Sequence, residues 1–153
     1  MKNQQSQRGF TLLELLIVMV IAGVMLGVVS FNALPNSRQR LENDAKRLAL
    51  LFQLARDEAI LRNMPVSFDS DQFGYRFMVR EDRVWTPLKD DMLRERSFEF
   101  SPLELGIDPP QNQAGVHIVF GREPVDKPFV LTLKVPDASI KVMADGVGHY
   151  SVE

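Results

Sequence analysis

The chain has 153 residues, a formal net charge of −2 and no cysteine. Its length favours one globular domain, and its charge provides no whole-chain attraction to nucleic acid or anionic lipid. The lack of cysteine excludes a disulfide framework and cysteine-ligated metal sites.

The first predicted element is an apolar helix over residues 10–31, which contains a single charged residue, Glu14. At ~1.5 Å per residue this helix spans about 33 Å, which matches the ~30 Å hydrocarbon core of a bilayer. Lys2 and Arg8 precede it without any acidic residue, and this charge pattern favours a cytoplasmic N-terminus. A cleaved secretory signal is the alternative, but the small-residue cleavage site that it requires is matched only weakly here.

Glu14 is the residue of this helix that needs an explanation, because an acid within a membrane helix costs ~2.5–3.5 kcal/mol on insertion scales. A cut between Gly9 and Phe10 would create an α-amine about one helical turn before Glu14. That amine could pair with Glu14 of its own chain or with Glu14 of a neighbouring chain. A carboxylate that lies in the lipid headgroup region is the alternative interpretation.

Residues 32–62 are predicted to form an amphipathic helix. Pro35 lies near its start and would either kink one continuous helix or break it, with a new helix capped by Asn36 or Ser37. The apolar positions that follow repeat at spacings of three and four, as in a helix with one buried face: Leu41, Ala45, Leu48, Phe52, Ala55 and Ala59. A coiled-coil seam is the less favoured alternative, because alanine occupies three of these positions.

The remaining chain, residues 63–153, is predicted to be an antiparallel β domain that packs against this helix, so the expected fold class is α+β. Five to seven strands are expected, and the runs that carry the strand pattern are 73–79, 84–86, 95–100, 116–120, 129–135 and 139–144. Residues 106–115 are predicted to be the longest loop and to be mobile. The connections are too short for parallel crossovers.

The junction at the start of the apolar helix resembles a known processing signal. Residues 8–14, with the sequence Arg-Gly-Phe-Thr-Leu-Leu-Glu, are similar to the class III signal of type IV pilins and type II secretion pseudopilins. The resemblance implies that a prepilin peptidase cuts after Gly9 and N-methylates Phe10, so that residues 1–9 are a leader absent from the working protein. It also implies that Glu14 pairs with the N-terminal amine of an adjacent subunit during filament assembly.

A second, looser resemblance lies in the β domain. Residues 118–123, residues 127–133 and the ending Gly146-Val147-Gly148 are similar to the C-terminal domain of H-type minor pseudopilins and of FimT/FimU-type minor pilins. The resemblance implies a pilin-like fold, in which a long helix with a membrane half and an amphipathic half carries an antiparallel sheet. It also implies a single pass through the bacterial inner membrane and a periplasmic β domain.

As a function, the resemblance implies a structural subunit at or near the tip of a type II secretion pseudopilus. Its expected partners are the major G-type and the minor I-, J- and K-type pseudopilins, the prepilin peptidase and the inner-membrane assembly platform. A minor pilin of a type IV pilus, involved in priming or DNA uptake, is the alternative. A membrane-anchored periplasmic enzyme or sensor is a third hypothesis, from a different class.

Catalysis, cofactors and metals are not expected. His117 and His149 lie in separate parts of the chain, whereas a zinc site needs three or four clustered ligands, so structural or surface roles are predicted for both. The adjacent acids Asp57 and Glu58 point in different directions on a helix and cannot act as a facing carboxylate pair. Calcium is disfavoured, although oxygen ligands could come from Asp69, Asp71, Asp90, Asp91 and Asp145.

Nucleic-acid binding is also disfavoured, because residues 146–153 contain neither lysine nor arginine, and the related minor pilins that bind DNA use basic residues there. The remaining route would be a cluster that forms only on folding, from Arg76, Arg80, Arg83, Arg94 and Arg96.

Overall fold

The structure, a computed structural model, describes residues 12–32 and 37–153. The chain divides into two compact units, Met1–Pro35 and Asn36–Glu153. The described part contains a helix in the first unit, a helix at the start of the second unit, and nine strands that are paired in antiparallel fashion throughout. The predicted α+β class is therefore confirmed.

The helix of the first unit, α1, runs over Leu12–Asn32. Its only acid, Glu14, lies in the first turn, where the N-terminal end of the helix dipole favours a negative charge. Pro35 lies outside the described residues, so whether it kinks or breaks the helix stays a prediction. No helix in the described ranges combines the length and the apolar character required to cross a membrane.

The second helix, α2, runs over Ser37–Arg62, and its predicted buried face is confirmed, because all six residues of the 3.6-residue stripe are fully buried. The helix ends in a Schellman motif. Asn63 takes a φ of 55°, its N–H bonds to the carbonyl of Ile60 at 3.2 Å, and the N–H of Met64 bonds to the carbonyl of Ala59 at 3.1 Å. Pro65 follows and cannot continue the helix.

Nine strands follow α2, and they are β1 Val66–Ser70, β2 Gly74–Glu81, β3 Val84–Pro87, β4 Arg96–Ser97, β5 Glu104–Asp108, β6 Val116–Phe120, β7 Phe129–Val135, β8 Ala138–Ala144 and β9 Tyr150–Val152. They form two sheets rather than one. The first has the order β3-β2-β1-β6, with β4 paired to β2, and the second has the order β5-β7-β8-β9.

One hydrophobic core is shared by α2 and both sheets. Phe52, fully buried on α2, lies at its centre, with its ring 4.9 Å from the ring of Phe68 on the first sheet and 5.7 Å from that of Phe129 on the second. In β7, alternate residues face the core, because Leu131, Leu133 and Val135 are buried and Phe129 is half-buried. The helix therefore holds the two sheets together.

Several strand boundaries differ from the predictions. Of residues 95–100, predicted as a strand, only Arg96 and Ser97 pair in β4. The predicted loop 106–115 begins inside β5, so its first three residues belong to a strand. β1, β5 and β9 are not among the predicted runs; all three are short, and polar residues occupy much of each.

The segment that replaces the predicted strand has its own pattern. Residues 88–103 bury one large apolar side chain at every fifth position, in Leu88, Leu93, Phe98 and Leu103. A period of five is neither the 2 of a strand nor the 3.6 of a helix. Apart from β4, the segment is consequently irregular, and these four buried side chains hold it to the core.

Candidate assembly site

The predicted site residues lie at the start of the chain. Gly9 and Phe10 are outside the described residues, so their predicted cleavage and methylation stay predictions. Glu14 is described, and its side chain is exposed in the first turn of α1.

The surface around Glu14 is apolar. The described side chains of α1 are all exposed, with Leu12 at 82%, Val18 at 55% and Val24 at 63% of their full accessible area. A continuous apolar helix surface of this kind is stable only against lipid or against other helices. Either environment has a low dielectric constant, in which a carboxylate is strongly favoured to meet an opposite charge.

Each of the two histidines has a carboxylate partner. His117 Nδ1 lies 2.6 Å from Asp69 Oδ1, and the backbone N–H of His117 donates to Gln111 Oε1 at 2.9 Å. His149 Nδ1 lies 2.7 Å from Asp145 Oδ2. In the described ranges, no group of three or more histidine, cysteine or acidic residues is placed to hold a metal ion.

Asp145 belongs to the last turn of the second sheet. Its carboxylate accepts hydrogen bonds from the backbone N–H groups of Val147, at 2.8 Å, and His149, at 3.1 Å. The bond from Val147 is the largest of the effects that lower the pKa of Asp145 to about 2. The carboxylate thus organises the Gly-Val-Gly ending singled out in the sequence.

Three of the five arginines that could form a basic cluster lie on β2 or on β4, which pairs with it. Arg76 and Arg80 lie on one face of β2 and are exposed. Arg96, in β4, is instead paired in register with Tyr75, a core residue, and its Nε is buried. Trp85, the one tryptophan of the chain, stands beside Arg80, with the guanidinium carbon 5.9 Å from the ring centroid. The sequence interpretation did not single out Trp85.

A crevice of about 360 Å³ lies where the edge strand of the first sheet faces the start of β7. Its walls are mostly apolar, and they include Ile118, Phe120, Phe129 and Tyr150. Burial raises the pKa of Tyr150 to about 12, because the neutral phenol is favoured among apolar neighbours.

An apolar N-terminal helix, a second helix with one buried face and a two-sheet antiparallel domain together define a pilin-like fold. Comparison with known proteins identifies the family to which this fold belongs. Residues 44–148 match the family model for the type II transport protein GspH, and residues 4–30 match the prokaryotic N-terminal methylation motif. The chain belongs to the GspH family, and the predicted resemblance is confirmed.

Relatives and a solved structure agree with this assignment. The type II secretion system protein H of Pseudomonas aeruginosa is 34% identical over 94 residues, which cover 59% of this chain and 54% of the relative, so the match spans about half of that relative's length. The protein of the same name from Aeromonas hydrophila is 29% identical over 174 residues, covering 96% of this chain and 93% of the relative.

The fold itself is similar to that of the minor pseudopilin EpsH from the type 2 secretion system of Vibrio cholerae. The TM-score is 0.59 at 18% sequence identity, over 74% of this chain and 96% of the EpsH structure. At this level of identity the likeness supports the fold of the chain.

Proposed function

We propose that this chain is an H-type minor pseudopilin of a bacterial type II secretion system, a structural subunit at or near the tip of the pseudopilus. The observation that carries the proposal is the methylation motif over residues 4–30, which continues directly into an apolar helix with Glu14 in its first turn. Family membership and the names of the relatives support the assignment to a type II secretion system.

The proposed mechanism is subunit addition, and it needs neither a catalytic residue nor a cofactor. Residues 1–9 act as a leader that a prepilin peptidase removes after Gly9, and Phe10 becomes the N-methylated first residue. Before assembly, residues 10–31 anchor the subunit in the inner membrane, with the N-terminus cytoplasmic and the β domain periplasmic. During assembly, the apolar surface of α1 passes from lipid to the helices of neighbouring subunits.

In this mechanism, Glu14 fixes the axial position of the subunit relative to its neighbour in the filament. In an apolar filament core a lone carboxylate or a lone ammonium is strongly disfavoured, whereas the opposite pair compensates much of the desolvation of both. The neighbour whose Phe10 amine meets Glu14 is thereby selected at one axial position. The neighbours are other pseudopilins, of the major G type and the minor I, J and K types, and the inner-membrane assembly platform delivers the subunit to them.

The test removes the charge of Glu14 and keeps its shape. Glu14→Gln is compared with Glu42→Gln, a matched change of an exposed acid in α2 that pairs with Lys46 at 2.6 Å. In a strain that lacks the natural gene, Glu14→Gln is expected to reduce secretion and co-purification with the other pseudopilins, while Glu42→Gln leaves both unchanged. Normal secretion and co-purification with Glu14→Gln would show that the assembly role assigned to Glu14 is wrong.

Mass spectrometry of the chain from membranes checks the processing step separately. The expected N-terminus is methylated Phe10. An intact Met1 in the assembled protein would contradict the pseudopilin class, whatever the phenotype of the Glu14 variant.

A further inference from the structure

The outer face of the first sheet is formed by the strand residues that alternate with the core residues. In β2, Tyr75, Phe77 and Val79 face the core, so Arg76 and Arg80 face outward with Met78 between them. In register with them stand the outward residues of the neighbouring strands, which are Ser67 and Asp69 in β1, Trp85 in β3, and His117 and Val119 in β6. The buried residues of α2 pack on the core side of this sheet, opposite to this face.

Trp85 lies across this face. It is the register partner of Arg80 at one edge of the sheet, yet its ring centroid is 6.0 Å from that of His117, which belongs to the strand at the other edge. The indole therefore extends over the strands between them, where Ser67 is fully buried although it faces outward. The face thus has an ordered aromatic centre, while Val119 beside it is 43% exposed.

The charge of this face has the opposite sign to that of the chain. Arg76 and Arg80 are exposed cations on it, in a chain whose formal net charge is −2. Its outward acid, Asp69, is already engaged, since one carboxylate oxygen lies 2.6 Å from His117 Nδ1 and the other accepts the hydroxyl of Ser67 at 2.8 Å. The two guanidinium groups outnumber this single carboxylate, so the face carries a net positive charge.

The hairpin that carries Trp85 adds one exposed cation, Arg83, beside one exposed acid, Asp82. Asp82 and Arg83 connect β2 to β3 with φ angles of 47° and 70°, the geometry of a two-residue type I′ turn. Glycine is the favoured residue at the second position, because a side chain is strained at positive φ. The turn nevertheless holds an exposed arginine there.

We propose that this face, centred on Trp85 and flanked by Arg76, Arg80 and Arg83, is a docking surface for an acidic segment of another protein. Tryptophan, methionine and arginine are enriched at protein interfaces, and the cations select a partner of negative charge. Nucleic acid is the less suitable occupant, because the Trp85 ring is already engaged by Arg80 and His117 and is not free to stack on bases.

This docking surface goes beyond the proposed secretion role and does not depend on it. The surface lies in the unit that begins at Asn36, whereas subunit addition is assigned to residues 10–31 and to Glu14. Loss of secretion with Glu14→Gln therefore leaves this proposal unaffected, and the two ideas fail separately.

The test uses the cysteine-free background of the chain. A single cysteine introduced by Val119→Cys, labelled with a maleimide photo-cross-linker in the full chain in its host membranes, probes the face directly. Mass spectrometry identifies the peptide attached to it. We expect a peptide of another protein that carries several aspartate or glutamate residues.

Charge variants then decide whether the arginines select this partner. Arg76→Gln and Arg80→Gln are expected to lower the cross-linking yield about two- to fivefold each, and about tenfold together. Glutamine at position 76 avoids placing a second acid opposite Asp69, the register partner of Arg76. Lys141→Gln, an exposed change in β8 of the other sheet, is the matched control and is expected to leave the yield unchanged.

Arg83→Gly separates binding from folding. Glycine relieves the strain of the turn, so the melting temperature is expected to stay the same or rise while the yield falls two- to fivefold. Reversal of the partner's acids to lysine is expected to restore cross-linking to an Arg80→Glu variant. The proposal is overturned by adducts to nucleic acid, to lipid or to a second copy of the chain, by the absence of any adduct, or by yields that the arginine variants do not change.

Discussion

Asp44 is an acid buried in the core interface of α2, and its replacement gives the sharpest test of the packing. The residue is 1% exposed. One carboxylate oxygen accepts the backbone N–H of Glu99 at 2.8 Å, and the other lies 3.6 Å from Arg47 Nη1 and has no hydrogen-bond partner among the described residues. Arg47 also contacts the Glu99 carboxylate at 3.0 Å, so one turn of α2 holds the irregular segment 88–103 at Glu99.

Two variants separate the hydrogen bond from the charge. Asp44→Ala removes the acceptor of the Glu99 N–H in a part-buried hydrogen bond, which is expected to cost about 1–3 kcal/mol of unfolding free energy. Asp44→Asn keeps an oxygen acceptor and removes only the charge. Burial is the largest effect on the Asp44 carboxyl and raises its pKa, in spite of the opposing influence of the Glu99 N–H and of Arg47. The negative charge is therefore a net cost near neutral pH.

The sign of the pH dependence follows from this. Because the pKa of Asp44 is higher in the folded chain than in the unfolded chain, its contribution to stability is fully present below the unfolded value of about 4 and is lost as pH rises through the folded value. Asparagine does not titrate. The stability of Asp44→Asn relative to the natural chain is consequently expected to increase from pH 4 to pH 7.

Denaturant unfolding of the full chain in detergent micelles, followed by circular dichroism at several pH values, measures these differences. Hydrogen exchange at the Glu99 amide reports directly on the bond. If Asp44→Asn loses as much stability as Asp44→Ala at pH 7, attraction to Arg47 outweighs burial and the reasoning is wrong. If Asp44→Ala loses nothing, the bond to Glu99 does not hold the segment.

Two further predictions concern the second sheet and the core. Gly146→Ala is expected to lose more than about 2 kcal/mol of stability in thermal or denaturant unfolding, because the backbone there has a φ of +82° and an added Cβ would collide with a backbone carbonyl of the facing loop. Gly106→Ala is the control, since its added Cβ meets nothing nearer than 3.8 Å, and equal losses in both variants would contradict the argument. Burial raises the pKa of both tyrosines of the chain, Tyr75 and Tyr150, the latter to about 12. Their stabilising contribution is therefore present below the unfolded pKa of about 10 and is lost as pH rises through the folded pKa of each. The phenolate absorbance of the folded chain is expected to rise at a higher pH than that of the unfolded chain, and identical titration curves for the two states would refute the burial of the two phenols.

The elements that the sequence predicted well are those whose burial repeats with a regular period. The stripe of α2 and the alternation of β7 each place apolar residues on one face of a regular element, so a local pattern suffices. β1 and β5 were not predicted as strands, because each has only two or three apolar positions beside polar ones. In β5, Pro109 and Pro110 also made the end of the strand resemble a loop. Their pairing with strands distant in the chain decides their conformation.

Asp44 illustrates the same limit for a single residue. In the sequence, Asp44 is a polar residue of an amphipathic helix, next to the predicted apolar stripe. It cannot be distinguished there from a solvent-exposed acid of the same helix. It is buried because Glu99, which lies in an irregular segment outside the helix, supplies its hydrogen bond. No local period carries that information, since the contact exists only once the segment has folded onto α2.

The two candidate interaction sites of this chain differ in the same way. Glu14 can be recognised from sequence, because the junction, the acid and the apolar run are consecutive and the chemistry follows from their spacing. For the face that carries Trp85, Arg76 and Arg80 could be named from the sequence only as members of a possible cluster. Trp85 was not predicted to join them, because that contact depends on the register of a hairpin whose turn lacks glycine. The cross-linking and charge-variant experiments are therefore tests of strand register as much as of binding, because a slip of one residue in β2 would turn both arginines towards the core.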